Sequence, residues 1–245
     1  MSELVCVGTS DAFGAGGRRQ SAYVLRLPGG TLLLDCGQTT LTGLGASGIE
    51  MDEIDAIVVS HFHADHFGGI PLFLLGSVYA APRRAPLRIV GPPGVEARVR
   101  ESARALGHPI DSRSFGFPLR FEELPAGRVL DVGSARLRTF ETFHAPEAHP
   151  HGITVEGGGV RLAYSGDTGW FDELPGHVRG SDLFLCECTL EKRGYAYHLS
   201  LEELAERRAS FDCNRIVLTH LGREMRATRD HHGFDVADDD RVIKL

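Results

Sequence analysis

The feature that most narrows what this chain can become is VVSHFHADHFGG, residues 58–69, where a β-branched apolar run breaks directly into three histidines and an aspartate. The lead-in, DAIVVS at 55–60, is apolar without alternation, as in a strand buried on both faces. Such a strand needs a layer on either side of its sheet, so the chain is expected to be a layered α/β protein. His61 and His63 stand two apart, and extended backbone points both one way. Asp65 and His66 follow as the chain turns into a helix, and face a second spot close by. Neutral imidazole suits zinc, iron or nickel, and a carboxylate adds hard oxygen. Two metals ~3.5–4 Å apart can clamp an attacking and a leaving oxygen. The plain alternative is a histidine-rich surface loop, but H-x-H-x-D-H after a buried strand is a specific pattern.

Four side chains cannot fill two metal shells, so further ligands are expected at other strand ends. LRTFETFHAP places His144 after a strand, VRLAYSGDTG places Asp167 in a Gly-flanked turn after another, and RIVLTHLG places His220 after a third. A carboxylate has two oxygens and can bridge two metals, which suits Asp167. His149 and His151 in EAHPHG lie close enough in sequence to compete with His144.

Elsewhere short strands alternate with turns and a few helices. Residues 2–7, 22–27 and 31–35 read as strands, the last two flanking a Pro28-Gly29-Gly30 turn. PLRIVG predicts a strand, residues 66–75 a helix with an apolar face, and GVEARVRESARALG a helix ending at glycine. Strands RLRTFETF, GITVEG, VRLAYSGD and DLFLCECT follow, then a helix within HLSLEELAERRASF, where Ser200 and Glu203 suggest a capping box, then strand RIVLTH. The Pro-, Gly- and Arg-rich region 91–125 predicts a surface excursion, and the tail HHGFDVADDDRVIKL a turn and strand. No linker or repeat divides the chain, so one domain over 1–245 is expected.

A net charge of −7 argues against broad non-specific nucleic-acid binding. No apolar run reaches the length of a membrane span. The N-terminus has no signal-peptide pattern, and the five cysteines are odd in number and lack C-x-x-C. Together these predict free thiols and a cytoplasmic location. Arg18 and Arg19 in a glycine-rich loop, with Arg223 and Arg226 after His220, are candidates to contact an anionic substrate; the plain reading is a solvated loop.

On these residues the chain resembles the metallo-β-lactamase superfamily. His61, His63, Asp65 and His66 match its H-x-H-x-D-H signature, and His144, Asp167 and His220 match its three later metal motifs in order. It is similar in particular to the ribonuclease Z-like branch, through Gly8-Thr9, Asp35-Cys36-Gly37, YSGDT, CECT and HLS. The likeness runs from VGTSDAFGAGG through LLLDCG to LTHLG, nearly the whole chain. The resemblance implies a four-layer αββα sandwich, class α/β (α+β), with a dinuclear site at one sheet edge. It implies that His61, His63 and His144 hold one ion, that Asp65, His66 and His220 hold the other, and that Asp167 bridges them. Glu187 and His198 match positions that assist near the metals, His198 as a proton donor or both as supports orienting a ligand. Two divalent ions are implied, zinc first, with manganese, iron and nickel also acceptable. Homodimers occur among relatives, and one stays open here.

The activity implied is hydrolysis of a small-molecule or nucleotide phosphodiester by a metal-bridging hydroxide that Asp65 and Asp167 orient. Transfer RNA 3′-processing is the less favoured substrate, because the tRNA-gripping insertion of such nucleases has no counterpart after GPPG. Lactones and other esters remain rivals. A β-lactamase is disfavoured, since the familiar zinc enzymes carry cysteine where Asp167 stands. Among oxidoreductases, the diiron flavoprotein type has glutamate in place of His63, leaving an iron-dependent persulfide dioxygenase as the alternative. Non-catalytic relatives lose ligands, and all seven are here.

Overall fold

Two seven-stranded sheets lie face to face in the computed structural model, which describes residues 2–111 and 115–245. The N-terminal half supplies β1 (Glu3–Gly8), β2 (Ala22–Leu27), β3 (Gly30–Leu34), β4 (Ala56–Val58), β5 (Leu87–Gly91) and β6 (Leu119–Glu123), with α1 (Thr40–Ala46), α2 (Ala64–Phe67), α3 (Ile70–Tyr79) and α4 (Val95–Ala105) between them. The C-terminal half supplies β7 (Val129–Val132), β8 (Ala135–Glu141), β9 (His151–Gly157), β10 (Val160–Tyr164), β11 (Leu183–Glu187), β12 (Ile216–Thr219) and β13 (Asp235–Val236), with α5 (Leu174–Val178), α6 (Leu201–Arg207) and α7 (Arg223–Ala227). The last strand, β14 (Val242–Lys244), crosses back to pair with β1. The sheet orders are β14-β1-β2-β3-β4-β5-β6 and β13-β12-β11-β10-β9-β8-β7.

Side-chain alternation builds the layers. On β2, Tyr23 and Leu25 face the other sheet while Val24 faces the helices, and all are buried. The central core joins Leu4, Leu32, Leu34 and Val58 of the first sheet to Leu137, Ile153, Leu162 and Leu185 of the second. Two outer cores pack Phe73, Val95 and Val99 on the first sheet and Leu174, Leu201 and Leu204 on the second. The result is the expected αββα sandwich. Among the described residues no helix is long and apolar enough to cross a membrane.

Strand direction positions the site. β3, β4 and β5 run parallel, as do β10, β11 and β12, so their C-terminal ends emerge on one side of each sheet. Open α/β sheets bind ligands at those ends.

Four sequence expectations change. The helix over 66–75 is two helices, α2 and α3, broken at Gly68-Gly69. The break lets the chain touch the turn after β3: Gly69 N–H donates to the Cys36 carbonyl at 2.8 Å. A Cβ at Gly69 would lie 2.2 Å from the Gly37 carbonyl oxygen, so only glycine permits the approach. The region 91–125 is not a surface excursion in its described parts; it holds α4, packed on the first sheet, and the edge strand β6, with residues 112–114 outside the described residues. The strand over 31–35 stops at Leu34, and Asp35 adopts a left-handed φ of 58°. At α6 the Ser200 hydroxyl accepts from Glu203 N–H at 3.2 Å but donates to the Glu203 carboxylate, so the capping box is closed side chain to side chain.

All five cysteines are free thiols, and burial pushes Cys6 and Cys36 up to about 12. Such thiols are inert as nucleophiles or ligands at neutral pH. Cys186 and Cys188 lie in the outer core of the second sheet, away from any metal role.

Candidate metal centre

Each candidate ligand sits where a strand has just ended. His61 follows β4, His144 follows β8, Asp167 follows β10, and His220 follows β12, while α2 carries Asp65 and His66. His220 takes a left-handed φ of 54°, a sparsely populated backbone conformation of the kind that clusters at functional sites. The structure brings all seven together in two groups: His61, His63, His144 and Asp167, and Asp65, His66, Asp167 and His220. Within each group the ligand atoms lie within 4.8 Å of one another.

Asp167 belongs to both, and its two oxygens divide between them. Oδ2 lies 3.7 Å from His61 Nε2 and 3.9 Å from His144 Nε2. Oδ1 lies 3.2 Å from His66 Nε2 and 3.4 Å from His220 Nε2. Asp65 Oδ2 lies 3.3 Å from both of the latter nitrogens. Ligands held ~2.1 Å from one ion at tetrahedral angles stand about 3.4 Å apart, so these spacings suit metal coordination.

The hydrogen-bond inventory fits an ion as well. His61 Nε2, His66 Nε2 and Asp167 Oδ1 are buried with no hydrogen-bond partner. Buried polar atoms rarely stay unsatisfied, and these three face one space. The Nδ1 nitrogens of four of the five histidines are held, while His63 Nδ1 lies 3.1 Å from His144 Nε2. His61 Nδ1 bonds Ser60 Oγ at 3.0 Å, His66 Nδ1 bonds Asp35 at 2.7 Å, His144 Nδ1 bonds the Tyr197 carbonyl at 2.9 Å, and His220 Nδ1 bonds Thr189 Oγ1 at 2.8 Å. Holding Nδ1 fixes the tautomer and leaves Nε2 lone pairs for a cation.

The charges tell the two groups apart. Burial alone would push the Asp65 and Asp167 carboxyls up, but the facing His66 and His220 outweigh it and hold both below the usual carboxylate range. Burial opposes charge on His66 and His220 too, yet Asp167 lifts both. Burial lowers His61, His63 and His144. The surroundings therefore favour neutral imidazoles in the first group, while the carboxylates of the second favour charge on His66 and His220.

Glu187 and His198 stand at the rim. The buried Glu187 carboxylate accepts from Thr168 N–H and Thr189 N–H, each at 3.0 Å, and from Thr189 Oγ1 at 2.9 Å. His198 Nδ1 donates to Glu187 Oε1 at 2.8 Å. Burial disfavours charge on His198, but the Glu187 carboxylate prevails and lifts its pKa to about 9. The His198 ring stacks on His220 with centroids 5.5 Å apart.

Other sequence candidates go elsewhere. His149 packs on Phe62 and His151 lines a cavity beyond His144, so neither joins the ligand groups. Arg18 pairs with Asp238, and Arg19 with Asp239 and Asp240, in the acidic tail. Arg226 donates to the Thr9 carbonyl at 3.0 Å and to its hydroxyl at 2.6 Å. The basic loop thus clamps the acidic tail, and Arg223 sits exposed on α7.

Three residues beneath the site were missing from the ligand list: Asp35, Tyr164 and Thr189. Asp35 ends an apolar strand as the ligands do, and that pattern in LLLDCG was the available signal. Tyr164 and Thr189 stand in two motifs of the family likeness, YSGDT and CECT, but each acts across the sandwich or across a turn, so neither motif showed which ligand it holds.

The family described as "Anti-Pycsar protein Apyc1" matches residues 2–237. A ribonuclease Z from Bradyrhizobium sp. (strain ORS 278) is 30% identical over 277 residues, covering 90% of this chain and 90% of the relative. Among solved structures, the metallo-beta-lactamase fold protein YhfI from Bacillus subtilis superposes with a TM-score of 0.81 at 18% identity, covering 100% of both chains. Human short-form tRNase Z superposes with a TM-score of 0.78 at 24% identity, covering 99% of this chain and 98% of the other. The chain belongs to the family of the anti-Pycsar protein Apyc1, within the ribonuclease Z-like branch of the metallo-β-lactamase superfamily.

Proposed function

We propose that this protein is a metal-dependent phosphodiesterase that acts on small or nucleotide phosphodiesters with two divalent ions, zinc being the best match to the donor set. The observation that carries the reading is the division of Asp167, one oxygen toward each ligand group. When bound, the two ions would supply Lewis acidity and lower the pKa of water toward neutrality. The remaining work falls to the protein. Asp65 and Asp167 orient the attacking water between the two groups. His198, held by Glu187, keeps its proton at neutral pH and can pass it from Nε2 to the leaving oxygen. The ribonuclease Z relatives support a phosphodiester over an ester or lactone. A small substrate is favoured over tRNA because, among the described residues between β5 and β6, α4 is the one helix. The alignment of 277 residues against a 245-residue chain also means that the relative carries insertions absent here.

The test is a turnover screen of metal-reconstituted protein on bis(4-nitrophenyl) phosphate, cyclic nucleotides, a lactone and a tRNA precursor. Turnover is expected on the first two. Robust lactone hydrolysis with none on phosphodiesters would overturn the reading.

The role of His198 has its own signature. His198→Ala is expected to slow an alkoxide leaving group by about 10²–10⁴-fold, the usual weight of a general acid. A 4-nitrophenolate leaving group needs no proton and should slow far less. Equal losses on both would make His198 a support for Glu187 and His220 instead.

A further inference from the structure

The chain around His220 is held from both sheets. Within the second half, Cys188 N–H donates to the Thr219 carbonyl at 2.8 Å, and Gly222 N–H donates to the Thr189 carbonyl at 3.1 Å. From the first sheet, the Tyr23 hydroxyl meets Thr219 Oγ1 at 2.8 Å, and the Thr9 carbonyl accepts from Leu221 N–H at 3.1 Å. These contacts bracket a residue with a φ of 54°, a conformation that persists only where the surroundings over-determine it. Leu221 directly follows the ligand, so whatever fixes Thr9 bears on His220.

Thr9 directly follows β1 and is fully buried. Arg226 of α7 donates from Nη2 to both its carbonyl and its hydroxyl. Thr9 Oγ1 donates in turn to Asp239 Oδ1 at 2.9 Å, and the other carboxylate oxygen accepts from Arg19 N–H at 2.9 Å. A chain of hydrogen bonds thus runs from Asp239 and Arg226 through Thr9 to Leu221 N–H. Its members are the sheltered part of the clamp. The side chain of Asp239 is 9% exposed and that of Arg226 13%, against 40% and 50% for Arg18 and Asp238. Exposed ion pairs contribute little, whereas charge-assisted hydrogen bonds away from water fix geometry. The acidic tail also joins β13 of one sheet to β14 of the other, so it ties the two sheets together beside this turn.

We propose that Asp239 and Arg226 are positioning residues for His220: they fix Thr9, and Thr9 holds the left-handed turn from which the His220 ring meets Asp65 and Asp167. Neither belongs to a ligand group. The assignment rests on the two-ion reading only for what His220 then holds.

The test has two arms. Amide hydrogen exchange in the metal-free protein reads the turn itself. Asp239→Ala and Arg226→Met are each expected to lower protection of Leu221 N–H by about tenfold or more, while Arg18→Ala, which breaks an exposed pair of the same tail, leaves it unchanged. Competition with a chromophoric chelator on reconstituted protein reads the ligand. The same two variants should weaken one ion by about 10–100-fold, the effect of losing a residue that orients a ligand, and leave the other ion in place. In a His220→Ala background, Asp239→Ala should cost no further metal affinity, because its route to the metal runs through His220. Unchanged Leu221 protection in both variants, an equal loss in Arg18→Ala, or an undiminished metal loss in the His220→Ala background would overturn the assignment. Arg226→Met acts from the opposite end of the hydrogen-bond chain, so it carries the test if Asp239→Ala fails to fold. A wild type that takes up no metal would count against the two-ion reading, and the exchange arm would still decide the clamp.

Discussion

Asp167→Ala protein should leave metal reconstitution with roughly one ion per chain or fewer, and with turnover down on the order of 10³-fold or more. The magnitude follows from its position. Outer partners of a metal ligand typically cost about 10–100-fold in affinity or activity when removed, and Asp167 belongs to both candidate ligand groups. Losing it also leaves His66 and His220 without their main counter-charge, since Asp167 is what lifts both. Asp167→Asn separates the two effects. Its one carbonyl oxygen can serve one ion but cannot bridge, and its charge is gone. It should retain metal better than Asp167→Ala while losing comparable activity. Metal content by mass spectrometry of the desalted protein, beside turnover on an aryl phosphodiester, reads both quantities. A full complement of metal with wild-type turnover in Asp167→Ala would remove Asp167 from the site.

The clustering of the seven candidate ligands was legible because its signal is local. An apolar run that stops at a histidine or aspartate is a strand end carrying a polar side chain, and His61, His144, Asp167 and His220 all obey that rule. Parallel neighbours then gather such ends on one side, which is a property of topology the run lengths already suggest. The break at Gly68-Gly69 was not legible, because it depends on the turn after β3 pressing against it. The pairing of Arg18 and Arg19 with the acidic tail was equally hidden, since its partners lie some 220 positions away. The edge strand β6 was lost in a region whose Pro and Gly content reads as loop, although β5 offered it a parallel neighbour. In each case a contact between distant segments overrode the local pattern.

Asp35 carries the second large effect, and it tests how far the site depends on a residue that touches no metal. Its buried carboxylate accepts four hydrogen bonds, each at 2.7 Å: from Ser60 N–H, Ser60 Oγ, His66 Nδ1 and the Tyr164 hydroxyl. Ser60 and His66 are the neighbours and members of the ligand turn, while Tyr164 reaches across from the other sheet. One side chain thereby fixes the turn's backbone, sets the His66 tautomer and ties the two sheets together beneath the metal centre. Asp35→Ala strands these donors in a fully buried site, a loss of about 3–5 kcal/mol for breaking a buried charged network. Unfolding in urea should show it, and the metal-free protein is the right sample, since bound ions would add their own stabilisation to the folded state. Metal affinity should fall in parallel by about 10–100-fold, read by competition with a chromophoric chelator. Asp35→Asn keeps the shape but offers one acceptor oxygen where two serve now, so it should fall between the wild type and Asp35→Ala on both measures. If the metal-free Asp35→Ala protein unfolds within about 0.5 kcal/mol of wild type, the range of an unremarkable surface change, then Asp35 is not the tie between ligand turn and sheets. If stability falls but chelator competition is unchanged, Asp35 supports the fold alone and His66 is oriented by its carboxylate neighbours in the site.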